Sequence, residues 1–200
     1  MKDQDEKITG PRKLGAPRLT APRLTAKSME NAAVHYLGRF SASTKNLRRV
    51  LQNRVLRAKR RGAEVPDDIN ATIDAIVAKL MKLQLVDDTN FANQRTLSLR
   101  RRGGSARQIR GKLKMAGISD EQIDQAVGAA DAERGDEDGK GELRAALRLA
   151  ERRRLGPYRL KERKEYRQRD MAALARAGFS IDICRKVTDA ADAEALLDDE

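Results

Sequence analysis

The side chains able to do chemistry in this chain are mostly cations. Arg107, Arg110 and Lys114 are spaced by three and four residues, which puts them on one face of a helix. Arg100, Arg101 and Arg102 stand just before them, across the Gly103-Gly104 break. A second set, Arg152, Arg153, Arg154, Arg163 and Arg167, lies in the last third of the chain. Guanidinium and ammonium groups clustered in this way neutralise phosphates or pair with a partner's carboxylates. These residues form the candidate contact set, and the bland alternative for each is a solvated helix face.

Groups for bond-making chemistry are scarce. His35 is the only histidine and Cys184 the only cysteine. Together they cannot build a zinc site, and one cysteine cannot close an intramolecular disulfide. His35 has no obvious Cys, Ser or Asp partner and reads as a structural or surface residue. Asp87 and Asp88 are adjacent carboxylates, but no third oxygen ligand stands nearby. No P-loop is present. The expectation is a protein with no cofactor, no metal and no enzymatic activity.

Lys and Arg total 42 against 30 Asp and Glu, a formal net charge of +12. A field of that sign draws the protein towards polyanions, of which nucleic acid is the usual one. Anionic membrane is the rival, without a lipidation motif or a Lys-rich amphipathic anchor to support it. No run nears the roughly 18 apolar residues of a membrane span. The N-terminus lacks an apolar stretch after its charges, so the expected location is the cytoplasm.

Aromatic residues make up 3% of the chain and Trp is absent, leaving Leu, Ile, Val, Ala and Met to build the core. That composition suits thin helical layers. Residues 1–27, with the tandem pentapeptide Ala16-Pro-Arg-Leu-Thr20 and Ala21-Pro-Arg-Leu-Thr25, read as a disordered basic arm. From Ser28 onward apolar residues recur at helical spacing. Ala33, Tyr36, Leu37 and Phe40 form one stripe; Leu47, Val50, Leu51 and Val55 form the next, capped by Ser41 or Ser43. Arg57 to Asp68 reads as a break holding Gly62 and Pro66. Asp67 or Asp68, the Asp87-Asp88 pair and Ser105 open further helices. Gly117 ends one helix in the left-handed conformation, and Ser119 with Gln122 forms a capping box for the next. Cys184 sits in an apolar helical pattern as a small buried hydrophobe. No alternating strand pattern persists anywhere.

The chain repeats itself weakly. Leu47 and Leu51 precede Ile109 and Leu113 by 62 residues, and Leu113 and Gly117 precede Leu174 and Gly178 by 61. Ala116-Gly117-Ile118-Ser119 and Ala177-Gly178-Phe179-Ser180 differ only in Ile for Phe. Eight basic residues and no acid lie between Lys45 and Arg61, and again between Arg95 and Lys114. This periodicity implies an all-α array of three tandem three-helix units. The expected divisions are 28–83, 84–134 and 135–189, followed by an acidic tail at 190–200.

Leu85-Val86-Asp87-Asp88-Thr89-Asn90-Phe91-Ala92 resembles the hydrophobic-Asp-Asp-x-x-Phe-Ala segment of the RecX recombination regulators. Tyr36-Leu37 with Arg39 before Leu47 and Leu51, and Gly178-Phe179-Ser180 with Ile183 and Val187, are similar to the first and third repeats of that family. The resemblance spans roughly Ala33 to Val187. Two departures are Gln84, where the family usually has Gly, and a long Arg57–Asp68 connection. The resemblance implies an elongated, curved, monomeric protein that lies in the groove of a RecA–DNA filament. There it would limit strand exchange, ATP hydrolysis and repressor self-cleavage in DNA repair and the SOS response. The basic residues named above would then contact the RecA filament or its DNA, single-stranded or within the filament. Two rivals stay open: a stand-alone DNA-binding protein reading DNA through a helix-turn-helix at Ser105–Ala130, and an RNA-binding protein. The lack of aromatic platforms counts against base stacking as the main binding mode of the latter.

Overall fold

The computed structural model describes residues 23–133, 140–193 and 195–198. In it the periodic apolar side chains turn inward into three separate cores. In the first, α1 (Ala26–Leu37), α2 (Thr44–Arg60) and α3 (Ile69–Lys82) pack together. Met29, Ala33, Leu47, Leu51, Ile73 and Leu80 are buried between them. In the second, α4 (Asp88–Arg101), α5 (Ala106–Met115) and α6 (Asp120–Ala132) enclose Ala92, Ile109, Leu113, Ile123 and Ala126. In the third, α7 (Gly141–Arg153), α8 (Arg163–Arg176) and α9 (Ile181–Asp189) enclose Leu147, Leu174, Phe179, Cys184 and Val187. A 3-10 turn at Gly156–Tyr158 joins α7 to α8, and a final turn, α10 (Ala195–Asp198), brings Leu196 and Leu197 against the third core. No strand occurs among the described residues, and none of their helices is long and apolar enough to cross a membrane. The all-α expectation holds, and Cys184 is buried as expected.

Local chemistry starts the helices where the sequence predicts. Ser43, Asp87, Ser105, Ser119 and Ser180 each accept a backbone N–H from the first turn that follows. Such caps each contribute about 1 kcal/mol. Ser119 and Gln122 form the expected capping box. Asp68 stands at the N-cap of α3 but accepts no bond.

Four boundaries differ from the sequence reading. The helix expected to stop at Arg57 continues to Arg60, because good helix formers follow and their charges complement the C-terminal dipole. The basic arm is shorter than expected. Thr25 caps α1, and Leu24 is buried in the first core with its N–H on Glu64 O at 3.0 Å; the arm before Arg23 lies outside the described residues. The acidic tail is not all tail, since Leu196 and Leu197 pack inward. Phe40, assigned to the core stripe, lies beyond the end of α1 and is half exposed.

The three groups meet through a bonding pattern that occurs twice. Ser43 Oγ accepts from Asn46 N–H while donating to Ala116 O at 2.6 Å. Asp88, in the first turn of α4, accepts the Thr44 N–H at 2.8 Å and the Thr44 hydroxyl. One group later, Ser105 Oγ accepts from Gln108 N–H and donates to Ala177 O at 2.6 Å, and Glu142 takes the Ala106 N–H. Gly117 and Gly178, at φ +86° and +97°, end the helices that receive these bonds. A Cβ there would sit 2.7 Å from Lys45 Cβ or 2.6 Å from Ser105 Oγ. The shared Ala-Gly-apolar-Ser turn is therefore the contact surface between groups. Gln84 also has a positive φ, +56°, which explains why glycine suits that position.

Two substitutions test these turns. Gly178→Val combines left-handed backbone strain with a clash against Ser105, and is expected to cost about 2 kcal/mol or more. Gln84→Gly relieves strain and is expected to gain about 0.5–1 kcal/mol. Urea unfolding midpoints at constant slope measure both, and equal midpoints for the Gly178 variant and the parent would refute the turn assignment.

Candidate polyanion interface

The structure sorts the predicted cations into free and committed sets. Arg152 and Arg153 occupy the last turn of α7, where the helix dipole favours positive charge. Arg154 caps that helix in the left-handed conformation, φ +55°. Arg152 and Arg153 meet Arg102 and Lys112 of the middle group around a cleft of about 250 Å³ with Gly103 and Gly104 in its wall. Arg153 also lines a neighbouring cleft of about 750 Å³ with Arg154, Lys161, Arg169 and Arg176. Arg101 and Arg102 extend the surface along the outer side of α4. Two cationic blocks some fifty residues apart in sequence, at Arg102 and Arg152, thus form one continuous surface.

Arg159 and Asp170 build the floor of the larger cleft. Asp170 is buried and accepts the Gly156 N–H at 2.9 Å and a two-point bond from Arg159 at 2.9 and 2.7 Å. Burial by itself would push the Asp170 carboxyl up, but the Arg159 bond, the Gly156 amide and the nearby positive charges outweigh it and hold the group below the usual carboxylate range. The Arg159 guanidinium also lies 4.4 Å from the Tyr166 ring centroid, with Arg169 at 5.7 Å. Arg159 is thus committed to the fold, whereas Arg169 remains exposed.

Several candidate residues are spent elsewhere. Arg100 is a correction: it is 2% exposed and has no route to a phosphate. Its guanidinium donates to Glu142 at 2.6 Å, to Asp131 at 3.0 Å and to Gly104 O at 3.1 Å. It therefore binds α4 to α6 and α7. Arg110 pairs with Asp124, and Lys114 with Asp120 at 2.8 Å. Arg163 donates to the carbonyls of Ala190 and Ala191. Arg167 forms a two-point pair with Asp189 at 2.5 and 2.7 Å, which lowers the Asp189 carboxyl below its ordinary value. Arg107 is exposed but lies outside both clefts. Lys112, Lys161, Arg169 and Arg176 stand outside the candidate set; Lys112 belongs to the basic run from Arg95 to Lys114, but only the packing reveals which cations of such runs reach this surface.

The helix-turn-helix rival fits this geometry poorly. Its second helix, α6, carries Asp120, Glu121, Asp124 and Asp131 and no basic residue, so it would be repelled by phosphates. Asp87 is spent on Thr89 and Asn90 N–H, and Asp88 on Thr44. Among the described residues no group of three or more His, Cys, Asp or Glu is placed to hold a metal ion.

Residues 87–127 match the family model described as RecX, second three-helix domain. The chain is 43% identical over 164 residues to regulatory protein RecX of Myxococcus xanthus, covering 80% of this chain and 84% of that protein. It is 28% identical over 159 residues to regulatory protein RecX of Agrobacterium fabrum, covering 78% and 79% respectively. Two solved structures share its fold. The crystal structure of regulatory protein RecX superposes with a TM-score of 0.59 at 20% identity, over 82% of this chain and 72% of that one. The crystal structure of RecX from Lactobacillus salivarius gives 0.55 at 22% identity, over 82% and 94%.

Arg100→Ala leaves Glu142 and Asp131 facing each other without their cation, and should cost about 3–5 kcal/mol. Arg107→Ala should stay within about 0.5 kcal/mol of the parent; chemical denaturation separates the two, and a mild Arg100 variant would remove its structural role. Because the folded Asp170 carboxyl lies below its unfolded value, its contribution is full above that value and is lost as pH falls through and below it. Stability should therefore fall less steeply below about pH 5 in Asp170→Asn than in the parent. Parallel slopes in a pH series of melts would contradict the assignment.

Proposed function

The chain belongs to the RecX family, and from that premise we propose that it binds along a RecA–DNA filament and limits recombinase activity. Its relatives are named regulatory proteins, and the chain is a regulator rather than an enzyme. The observation that carries the filament reading is the continuous cationic surface from Arg101 and Arg102 through Arg152 and Arg153 to Arg169 and Arg176. A filament groove offers repeated phosphates and carboxylates, so cations from two helical groups engage it together, and several weak contacts add up to avidity. The two matching joints support a further part of the reading: the three helical groups are copies of one three-helix unit, and the second and third copies supply the contact surface.

The test is RecA ATP hydrolysis and strand exchange on single-stranded DNA with the protein titrated in at several salt concentrations. The parent should lower both. Arg102→Ala, Arg152→Ala and Arg153→Ala combined should weaken the effect and reduce the salt slope by about 2–3, at roughly 0.7–0.9 per lost phosphate contact. Undiminished inhibition with an unchanged slope would exclude this surface. Tight binding of the parent to bare DNA, with no effect on RecA, would favour a stand-alone DNA-binding protein instead.

A further inference from the structure

The first helical group holds a second cationic groove, separate from the surface assigned to the filament. It runs between α1 and α2 and encloses about 1050 Å³. One wall is a stripe on α2: Val50, Arg54, Arg57 and, at the helix end, Arg61, spaced by four, three and four residues and so aligned on one face. The other wall comes from α1, with His35 and then Arg39 just past its end. Leu51 and Ala58 form the floor. Among the described residues, no acidic side chain lines the groove.

Two details distinguish this groove from an ordinary solvated face. The first is that Arg54, Arg57 and Arg61 are exposed and, among the described residues, have no carboxylate within ion-pair distance. Arg48, on another face of the same helix, pairs with Asp74 at 2.8 Å. These three cations thus stay uncompensated, at a cost in self-repulsion, whereas Arg23 at the edge of the groove lies 4.0 Å from Glu64. The second is that two of the six aromatic residues of the chain stand together at its mouth. The Tyr36 and Phe40 rings are 5.2 Å apart, and the Arg39 guanidinium is 5.6 Å from the Phe40 ring. Phe40 is nonetheless 51% exposed, which leaves much of a phenyl ring in water.

We propose that this groove binds single-stranded nucleic acid, with an unstacked base against Phe40 and backbone phosphates on Arg54, Arg57 and Arg61. An exposed ring beside a planar guanidinium is a stacking platform, useful only for a base whose face is free. A duplex keeps its base faces buried in its own stack, so it gains the phosphate contacts alone. The three arginines span about 10 Å of helix axis, which places their flexible arms over adjacent phosphates of one strand. The low aromatic content argues against stacking as a general mode for this chain; the groove concentrates what little there is beside free cations.

The intact chain is tested without RecA, so failure here is separate from failure of the filament reading. Fluorescence anisotropy would compare a labelled oligo-dT, an abasic oligonucleotide of equal length and a duplex. The parent should prefer oligo-dT to both. Phe40→Ala should weaken oligo-dT binding at least about fivefold, from the known range for one lost stack, and leave abasic binding unchanged. Phe40→Tyr should bind as the parent does. Arg54→Gln, Arg57→Gln and Arg61→Gln together should weaken all three ligands and reduce the salt slope for single strands by about two. Equal parent affinity for oligo-dT and abasic DNA overturns the proposal. So does a Phe40→Ala protein that melts like the parent and binds oligo-dT equally well. Full oligonucleotide binding by the arginine variant, coupled with lost inhibition of RecA, would assign the groove to an acidic protein surface and also overturn it.

Discussion

The arrangement of the molecule depends on a serine hydroxyl that closes two helices at once. Ser43 Oγ accepts an N–H from its own helix and donates to the carbonyl that ends a helix in the next group; Ser105 does the same one group later. The neighbouring group also supplies the carboxylate for the adjacent N–H, Asp88 for Thr44 and Glu142 for Ala106. The N-termini of α2 and α5 are therefore completed only when the groups are docked. A buried polar group left unpaired costs about 1–3 kcal/mol, so each joint favours one register strongly. Three cores that share no buried residue are held in order by polar bonds of defined direction. The left-handed glycines follow from this geometry, since a side chain at either would push the receiving helix end off its donor.

How much of this could be read from sequence depends on how far apart the determining residues lie. Caps and helical stripes involve neighbours within a turn, so Ser43, Asp87, Ser105 and the Ser119–Gln122 box were all accessible to inspection. The repeated Ala-Gly-apolar-Ser turn was visible too, although its role as a docking surface was not. The fate of each arginine was hidden. Arg100, Arg101 and Arg102 are identical in type and adjacent, yet Arg100 is buried by Asp131 and Glu142, which lie 31 and 42 residues away. Arg110 and Lys114 share a face as their spacing requires, but Asp124 and Asp120 come from the helix packed beside them. Leu24 and Thr25 belong to the second copy of a perfect pentapeptide repeat, and nothing in that copy distinguishes it. Its contacts come from its position: Thr25 lies three residues before the Ser28 N–H it caps, and Leu24 reaches Glu64 across the fold.

The distribution of charge follows from the helices before it follows from any partner. Basic residues fill the last turns of α2, α4, α5, α7 and α8, while acidic ones fill the first turns of α4, α6, α7, α8 and α9. Each placement complements a helix dipole and is worth about 0.3–1 kcal/mol. A formal charge of +12 is thereby made tolerable locally. Basic blocks recurring along the chain are for this reason weak evidence of binding when taken alone, because a dipole needs only a cation at its own helix end. Convergence of cations from different helices, with no carboxylate among them, is not something the dipoles require. Arg102 and Lys112 close two helices of the middle group and Arg152 and Arg153 a helix of the last, yet all four surround one cleft. That convergence is set by the joint at Ser105, and it separates a surface able to hold an anion from one that merely finishes its helices.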